Sequence, residues 1–121
     1  MKKTRVLVVD DQEGFTRLLQ LALPELDIRA ENDPTRALVT AEEFRPELIF
    51  LDVVMPTLDG GDLAAQFKAH RTLSRVPIVF VTAIVSPKEA QTEQVIGGYP
   101  FLAKPVSKHA ILACVAKHVP T

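Results

Sequence analysis

Only one cysteine, Cys114, occurs in the 121 residues, so no internal disulfide can staple this chain. A chain of this length does not need one, because it can bury a core of its own. A single domain is expected over residues 1–121. Neither sign of charge dominates: 14 lysines and arginines face 15 aspartates and glutamates, for a net charge of −1. That balance excludes a basic field able to draw in nucleic acid or an anionic membrane. No direct nucleic-acid or membrane partner is expected. Long apolar runs are missing too. Met1-Lys2-Lys3 leads straight into an apolar run too short for a signal peptide or a membrane span. A cytoplasmic location is the matching expectation. No linker, repeat or low-complexity segment interrupts the chain. Cys114 lies in an apolar-patterned segment and is expected to be a buried structural thiol.

What is present is an alternation. Val6-Leu7-Val8-Val9, Leu48-Ile49-Phe50-Leu51 and Ile78-Val79-Phe80-Val81 are continuous apolar runs, as in parallel strands buried on both faces. Ile28–Ala30 and Phe101–Ala103 are weaker strand candidates. Helical spacing lies between them. Phe15, Leu18, Leu19 and Ala22 mark a first helix. Asp33-Pro34 reads as an N-cap followed by proline at the first helical position, with Ala37, Leu38 and Ala41 as the buried stripe. Leu63, Ala64 and Phe67 mark a third helix. Ser86-Pro87-Lys88-Glu89 combines a capping box with a proline and opens a fourth, whose stripe of Ala90, Val95 and Ile96 is thin. Ser107 caps a fifth, with Ile111, Leu112 and Val115 facing inward. Strand and helix thus alternate five times. Right-handed crossovers turn that order into an α/β three-layer sandwich.

In open parallel sheets, ligands bind at the carboxyl ends of the strands. Asp10 and Asp11 follow the first apolar run, Asp52 the third, Thr82 and Ala83 the fourth, and Lys104-Pro105 the fifth. Three carboxylates, a hydroxyl and an ammonium are therefore expected on one edge. Carboxylates held close together repel unless a cation neutralises them. Oxygen donors with a lysine beside them suit Mg²⁺ or Mn²⁺ and not zinc. Positioning and charge neutralisation are most of what phosphoryl transfer requires, and an aspartate beside a metal is a plausible nucleophile. Each residue alone has a bland reading. Asp10 or Asp11 could cap the first helix, Asp52 could sit in a turn, Thr82 could cap a strand, and Lys104 could be surface. The coincidence of all five on one edge favours a site.

Taken together, these residues resemble the receiver domain of two-component response regulators, over the whole chain. Asp10-Asp11 matches the family's acidic pair. Asp52-Val53-Val54-Met55-Pro56, with Asp59-Gly60 after it, resembles the phosphoacceptor loop. Val81-Thr82-Ala83 is similar to the switch segment, Lys104-Pro105 to the lysine and its proline, and Phe101 to the aromatic switch residue. The resemblance implies a flavodoxin-like (βα)5 sandwich with a parallel five-stranded sheet in the order 2-1-3-4-5. It implies that Asp52 accepts a phosphoryl group from a phosphohistidine of a sensor histidine kinase or histidine phosphotransfer protein. Asp11, Asp52 and the Val54 carbonyl would ligate the cation directly, and Asp10 through water. Lys104, Thr82 and the backbone amides of Val54 and Ala83 would hold the phosphoryl oxygens. Thr82 and Phe101 would switch the surface of residues 87–118. The chain would then be a switch and not an enzyme. Its output would run through a separate protein or a further domain, with homodimerisation on phosphorylation a further expectation.

Two features depart from the family's pattern. Gly97-Gly98-Tyr99-Pro100 precedes the aromatic where polar residues are usual. Pro100, expected just ahead of the strand, removes a backbone donor and restricts Tyr99, expected as a half-exposed aromatic on the loop. Val54 and Ile84, two residues past Asp52 and Thr82, are apolar, so neither can orient an attacking water. His70, His109 and His118 lack mutual ligand spacing and are expected in surface or helix-end roles, with His118 at a helix end that tolerates positive charge. A phosphatase of the haloacid dehalogenase type would want an acid where Val54 stands. A flavin protein would want a Ser/Thr/Gly cradle where Asp10-Asp11-Gln12-Glu13 stands. The remaining alternative is a phosphorylation-independent interaction module on the same fold.

Overall fold

The computed structural model describes residues 2–55, 58–83, 95–96 and 98–120. Its elements are β1 (Thr4–Val9), α1 (Glu13–Ala22), β2 (Leu26–Glu31), a short 3₁₀ turn (Pro34–Arg36), α2 (Ala37–Phe44), β3 (Leu48–Leu51), α3 (Gly60–Ala69), β4 (Ile78–Thr82), β5 (Val95–Ile96), β6 (Tyr99–Ala103) and α4 (Lys108–His118). The last of these is the final helix expected from the sequence. The capping segment Ser86–Glu89, Ala90 and Ile84 lie outside the described residues.

Period-two burial explains the layers. Val6 and Val8 of β1, Phe50 of β3, and Val79 and Val81 of β4 pack with Leu19 and Leu23 at α1 and Ile111, Cys114 and Val115 of α4. The intervening Leu7, Val9, Ile49, Leu51, Ile78 and Phe80 point the other way, against Ala37 and Ala41 of α2 and Leu63, Ala64 and Phe67 of α3. Every residue of β3 and β4 is buried. Truncating a fully buried aromatic such as Phe67 to alanine would cost roughly 3–5 kcal/mol.

The strands lie in the order β2-β1-β3-β4-β6-β5, and the first five are mutually parallel. That is the expected 2-1-3-4-5 sheet, with β6 as its fifth strand. β5 adds an antiparallel edge pair, Val95 opposite Pro100 and Ile96 opposite Tyr99. Val95 and Ile96 are therefore strand residues and not part of a helical stripe, because a short turn folds them back onto β6. Pro100 lies inside that strand and Tyr99 opens it. Pairing with β4 begins only at Phe101 opposite Phe80, so the proline, near the start of β6, precedes the β4 ladder and owes it no donor. Tyr99 is half-buried and sets its ring edge-on to Phe80, 5.3 Å between centroids.

Helix ends follow their local chemistry. Asp33 accepts from the Thr35 amide at 3.0 Å, but it caps the 3₁₀ turn, with α2 continuing from it. Ser107 accepts from the Ala110 amide at 3.0 Å and caps α4. Phe15, Leu18, Leu19 and Ala22 do lie on one helix, although Leu18 is 62% exposed. Positions 15, 19 and 22 share one helix face, and Leu18 is turned about 100° from Leu19. Burial pushes the Cys114 thiol up to about 11, as suits a packed, inert cysteine.

Candidate functional site

Four elements converge at the carboxyl edge of the sheet. β1 ends at Val9 and delivers Asp10 and Asp11, β3 delivers Asp52, β4 ends in Thr82, and β6 delivers Lys104. Asp10, Asp11 and Asp52 each place a carboxylate oxygen within 4.8 Å of the others. Asp10 and Asp52 are buried, and Asp11 is the more open. The N-cap of α1 is Gln12, with no side-chain cap bond, so neither Asp10 nor Asp11 caps that helix. Asp10 Oδ1 instead accepts from the Gln12 amide at 2.9 Å. Asn32 donates to the Asp10 carbonyl at 2.8 Å and to Thr16 Oγ1 at 3.0 Å, tying this loop to β2 and α1.

Lys104 is the counter-charge. Its Nζ donates to Asp10 Oδ2 at 2.7 Å and to Gln12 Oε1 at 3.0 Å, and lies 3.7 Å from Asp52 Oδ2. Asp52 Oδ1 accepts from the Val54 amide at 3.2 Å. Burial, first of all, raises the Asp52 carboxyl above its ordinary value, and Asp10 and Asp11 add repulsion. The Val54 amide and Lys104 pull the other way. Among the described residues, one ammonium set against three carboxylates leaves the cluster short of positive charge. Hard oxygen donors in a buried, electron-rich cluster fit a divalent cation of the magnesium type. The residues present can therefore hold such an ion.

Asp11, Gln12, Asp52, Val54, Met55, Thr82, Ala83 and Lys104 line a cavity of about 360 Å³ over this cluster. That is room for a phosphoryl group. Thr82 is fully buried at its base. Lys104 donates its amide to the Thr82 carbonyl at 3.0 Å, and the Lys104–Pro105 peptide is cis. Phe101 does not line this cavity. Its half-buried side chain packs with the cluster that covers α2 and α3.

A larger cavity, about 570 Å³, opens at the amino ends of β3 and β4. It carries one carboxylate, Glu42, which is paired to His70. His118 stands in the last turn of α4, the helix-end position expected, where burial first and Lys117 second lower its basicity.

Gln12 and Phe15 were not read from the sequence as site components, and Gly60 was read only as part of the loop motif. Phe15 was read only as core, yet its ring lies 4.4 Å beneath Lys104 Nζ. Gly60 begins α3 against the acceptor loop, where an added Cβ would fall 2.2 Å from the Asp52 carbonyl oxygen. The Phe15 contact has no local signal, since Lys104 is distant in sequence, whereas Gly60 follows Asp52 closely and only the close approach itself needed the structure.

A doubly wound parallel sheet carrying an acidic triad, a lysine and a buried threonine at its carboxyl edge defines a phosphoacceptor switch. The chain belongs to the response regulator receiver domain family, whose family model matches residues 6–116. It is 27% identical to protein PilG of Pseudomonas aeruginosa, over 97% of this chain and 88% of that one. It is 33% identical to the alkaline phosphatase synthesis transcriptional regulatory protein PhoP of Bacillus subtilis, over 92% of this chain but only 46% of that one. The structure superposes on the chemotaxis protein CheY4 of Vibrio cholerae with a TM-score of 0.82 and 23% identity, covering 98% of this chain and all of that one. The chain is a receiver domain with a phosphoacceptor signalling role. Among the described residues, no helix is long and apolar enough to cross a membrane.

Proposed function

We propose that Asp52 is the phosphoacceptor and that residues 1–121 act as one switch domain. The observation that carries this reading is the placement of Asp52 Oδ2 in a cavity between two further carboxylates and the Lys104 ammonium. Asp10, Asp11 and Asp52, with the Val54 carbonyl, would hold Mg²⁺ or Mn²⁺. Such an ion, when bound, supplies positive charge against which phosphoryl oxygens are stabilised.

In the transfer, an Asp52 carboxylate oxygen attacks the phosphorus of a phosphohistidine. The new O–P bond forms as the N–P bond breaks, and the imidazole leaves and takes up a proton. Lys104 and Thr82 receive the phosphoryl oxygens, with the amides of Val54 and Ala83 beside them. Lys104, 3.7 Å from Asp52 Oδ2, does so from where it stands, and Thr82 is drawn towards the phosphate. That movement frees space into which Phe101 turns, which biases the surface of residues 87–118 between two states. The donor is a sensor histidine kinase or a histidine phosphotransfer protein. The receiver of the signal is a separate output protein or an attached output domain, and phosphorylation favours a homodimer. The chain works in the cytoplasm, as a switch that assists only its own phosphorylation and dephosphorylation.

Incubation with phosphoramidate and Mg²⁺, followed by intact mass measurement beside Asp52→Ala, tests this. One added phosphoryl group, dependent on Mg²⁺ and lost in the variant, is expected. No addition, with no Mg²⁺ binding, would transfer the reading to a phosphorylation-independent interaction module.

A further inference from the structure

The Lys104 ammonium is held by more than acids. Besides Asp10, it donates to Gln12 Oε1 at 3.0 Å and stands 4.4 Å over the centre of the Phe15 ring. Its side chain is only 14% exposed. A lysine stem has four rotatable bonds, and its tip does not stay in one place unless something restrains it. Asp10 is a poor permanent restraint, because a cation bound by the triad competes for the same carboxylate. Gln12 and Phe15 are neutral and belong to no acid cluster. A side-chain amide oxygen and a ring face attract an ammonium whether or not the triad is occupied. The two are also placed together by one element: Gln12 is the N-cap of α1, and Phe15 stands three residues later, in its first turn.

We propose that Gln12 and Phe15 are positioning residues that keep the Lys104 ammonium preorganised beside Asp52 for phosphoryl acceptance. This rests on the phosphoacceptor reading of Asp52. Preorganised charge accelerates transfer because it needs no rearrangement as the transition state forms. The bland role for Phe15 is packing, since its ring also touches the core between the sheet and α1 and α4. Leucine would preserve that packing and lose the ring face, whereas tyrosine would keep both.

The test compares Phe15→Leu, Phe15→Tyr and Gln12→Met, each alone and with Lys104→Gln. The rate constant for phosphorylation by phosphoramidate is measured at saturating Mg²⁺. Phe15→Leu and Gln12→Met are each expected to slow it about fivefold, and Phe15→Tyr to restore it. Both losses should vanish in the Lys104→Gln background, which a packing defect would not do. An independent readout is the proton resonance of the Lys104 ε-methylene, expected upfield from the ring current in the wild type and Phe15→Tyr, and normal in Phe15→Leu. A Phe15→Leu rate equal to wild type, or a loss that persists without Lys104, overturns the proposal. If the wild type accepts no phosphoryl group, the Asp52 reading is what fails, and the ε-methylene shift still decides whether the ring holds the lysine.

Discussion

Lys104 Nζ lies 2.7 Å from Asp10 Oδ2 and 3.7 Å from Asp52 Oδ2, so the resting lysine hydrogen-bonds the neighbour of the acceptor and forms only a longer ion pair with the acceptor itself. The ammonium therefore occupies charge that a divalent cation would otherwise use. Lys104→Gln is expected to tighten Mg²⁺ binding severalfold while slowing phosphoryl acceptance. Titration calorimetry and the phosphoramidate rate would show these opposite effects. A parallel loss of both would mean that Lys104 organises the triad.

Asp52 carries a cost of burial. A carboxyl whose pKa is raised on folding destabilises the fold wherever it is ionised. The cost is present at pH above the raised value, shrinks as pH falls through it, and is gone below the ordinary 3.8. In EDTA at pH 7, Asp52→Asn should therefore melt at a higher temperature than wild type. The difference should close below about pH 4. Added Mg²⁺ should raise the wild-type Tm more than that of the variant. Melting curves across pH check all three.

Val54 is 54% exposed at the mouth of the cavity, and its side chain offers water no hydrogen bond. The phosphorylated form is expected to be long-lived for this reason. Val54→Asn should shorten its half-life several-fold by holding an attacking water, without altering uptake of the phosphoryl group. Decay followed by intact mass would reveal this. An unchanged half-life would assign Val54 to packing at the loop.

Gly60 has no room for a side chain, since a Cβ would lie 2.2 Å from the Asp52 carbonyl oxygen and 2.7 Å from Val53 Cα. The obstruction is backbone and cannot rotate away. Gly60→Ala should cost about 2–3 kcal/mol in urea unfolding. It should also weaken Mg²⁺ binding, because the displaced segment carries Asp52. Gly14→Ala, with nothing within 4 Å of its added Cβ and a place in α1, should leave Mg²⁺ binding unchanged and stabilise the fold by up to about 1 kcal/mol.

Much of the fold was legible because its signals are local. Val6–Val9, Leu48–Leu51 and Ile78–Val81 are apolar at every position, which only burial on both faces explains, and two layers of helix cover them. The run ends placed Asp10, Asp11, Asp52, Thr82 and Lys104 on one edge because strand ends of a parallel sheet share an edge. Val95 and Ile96 were misread because their apolar character suits a helix stripe or a strand equally, and the turn that pairs them with β6 is a tertiary choice.

The sequence by itself determined which residues alternate in and out of the core and which polar groups meet at the sheet edge, since both depend on neighbours along the chain. Only the tertiary structure decided what holds Lys104. Its partner Asp10 is 94 residues away and Gln12 is 92. Such pairings are set by where the sheet brings the carboxyl ends of β1 and β6, a long-range geometry that no local periodicity encodes.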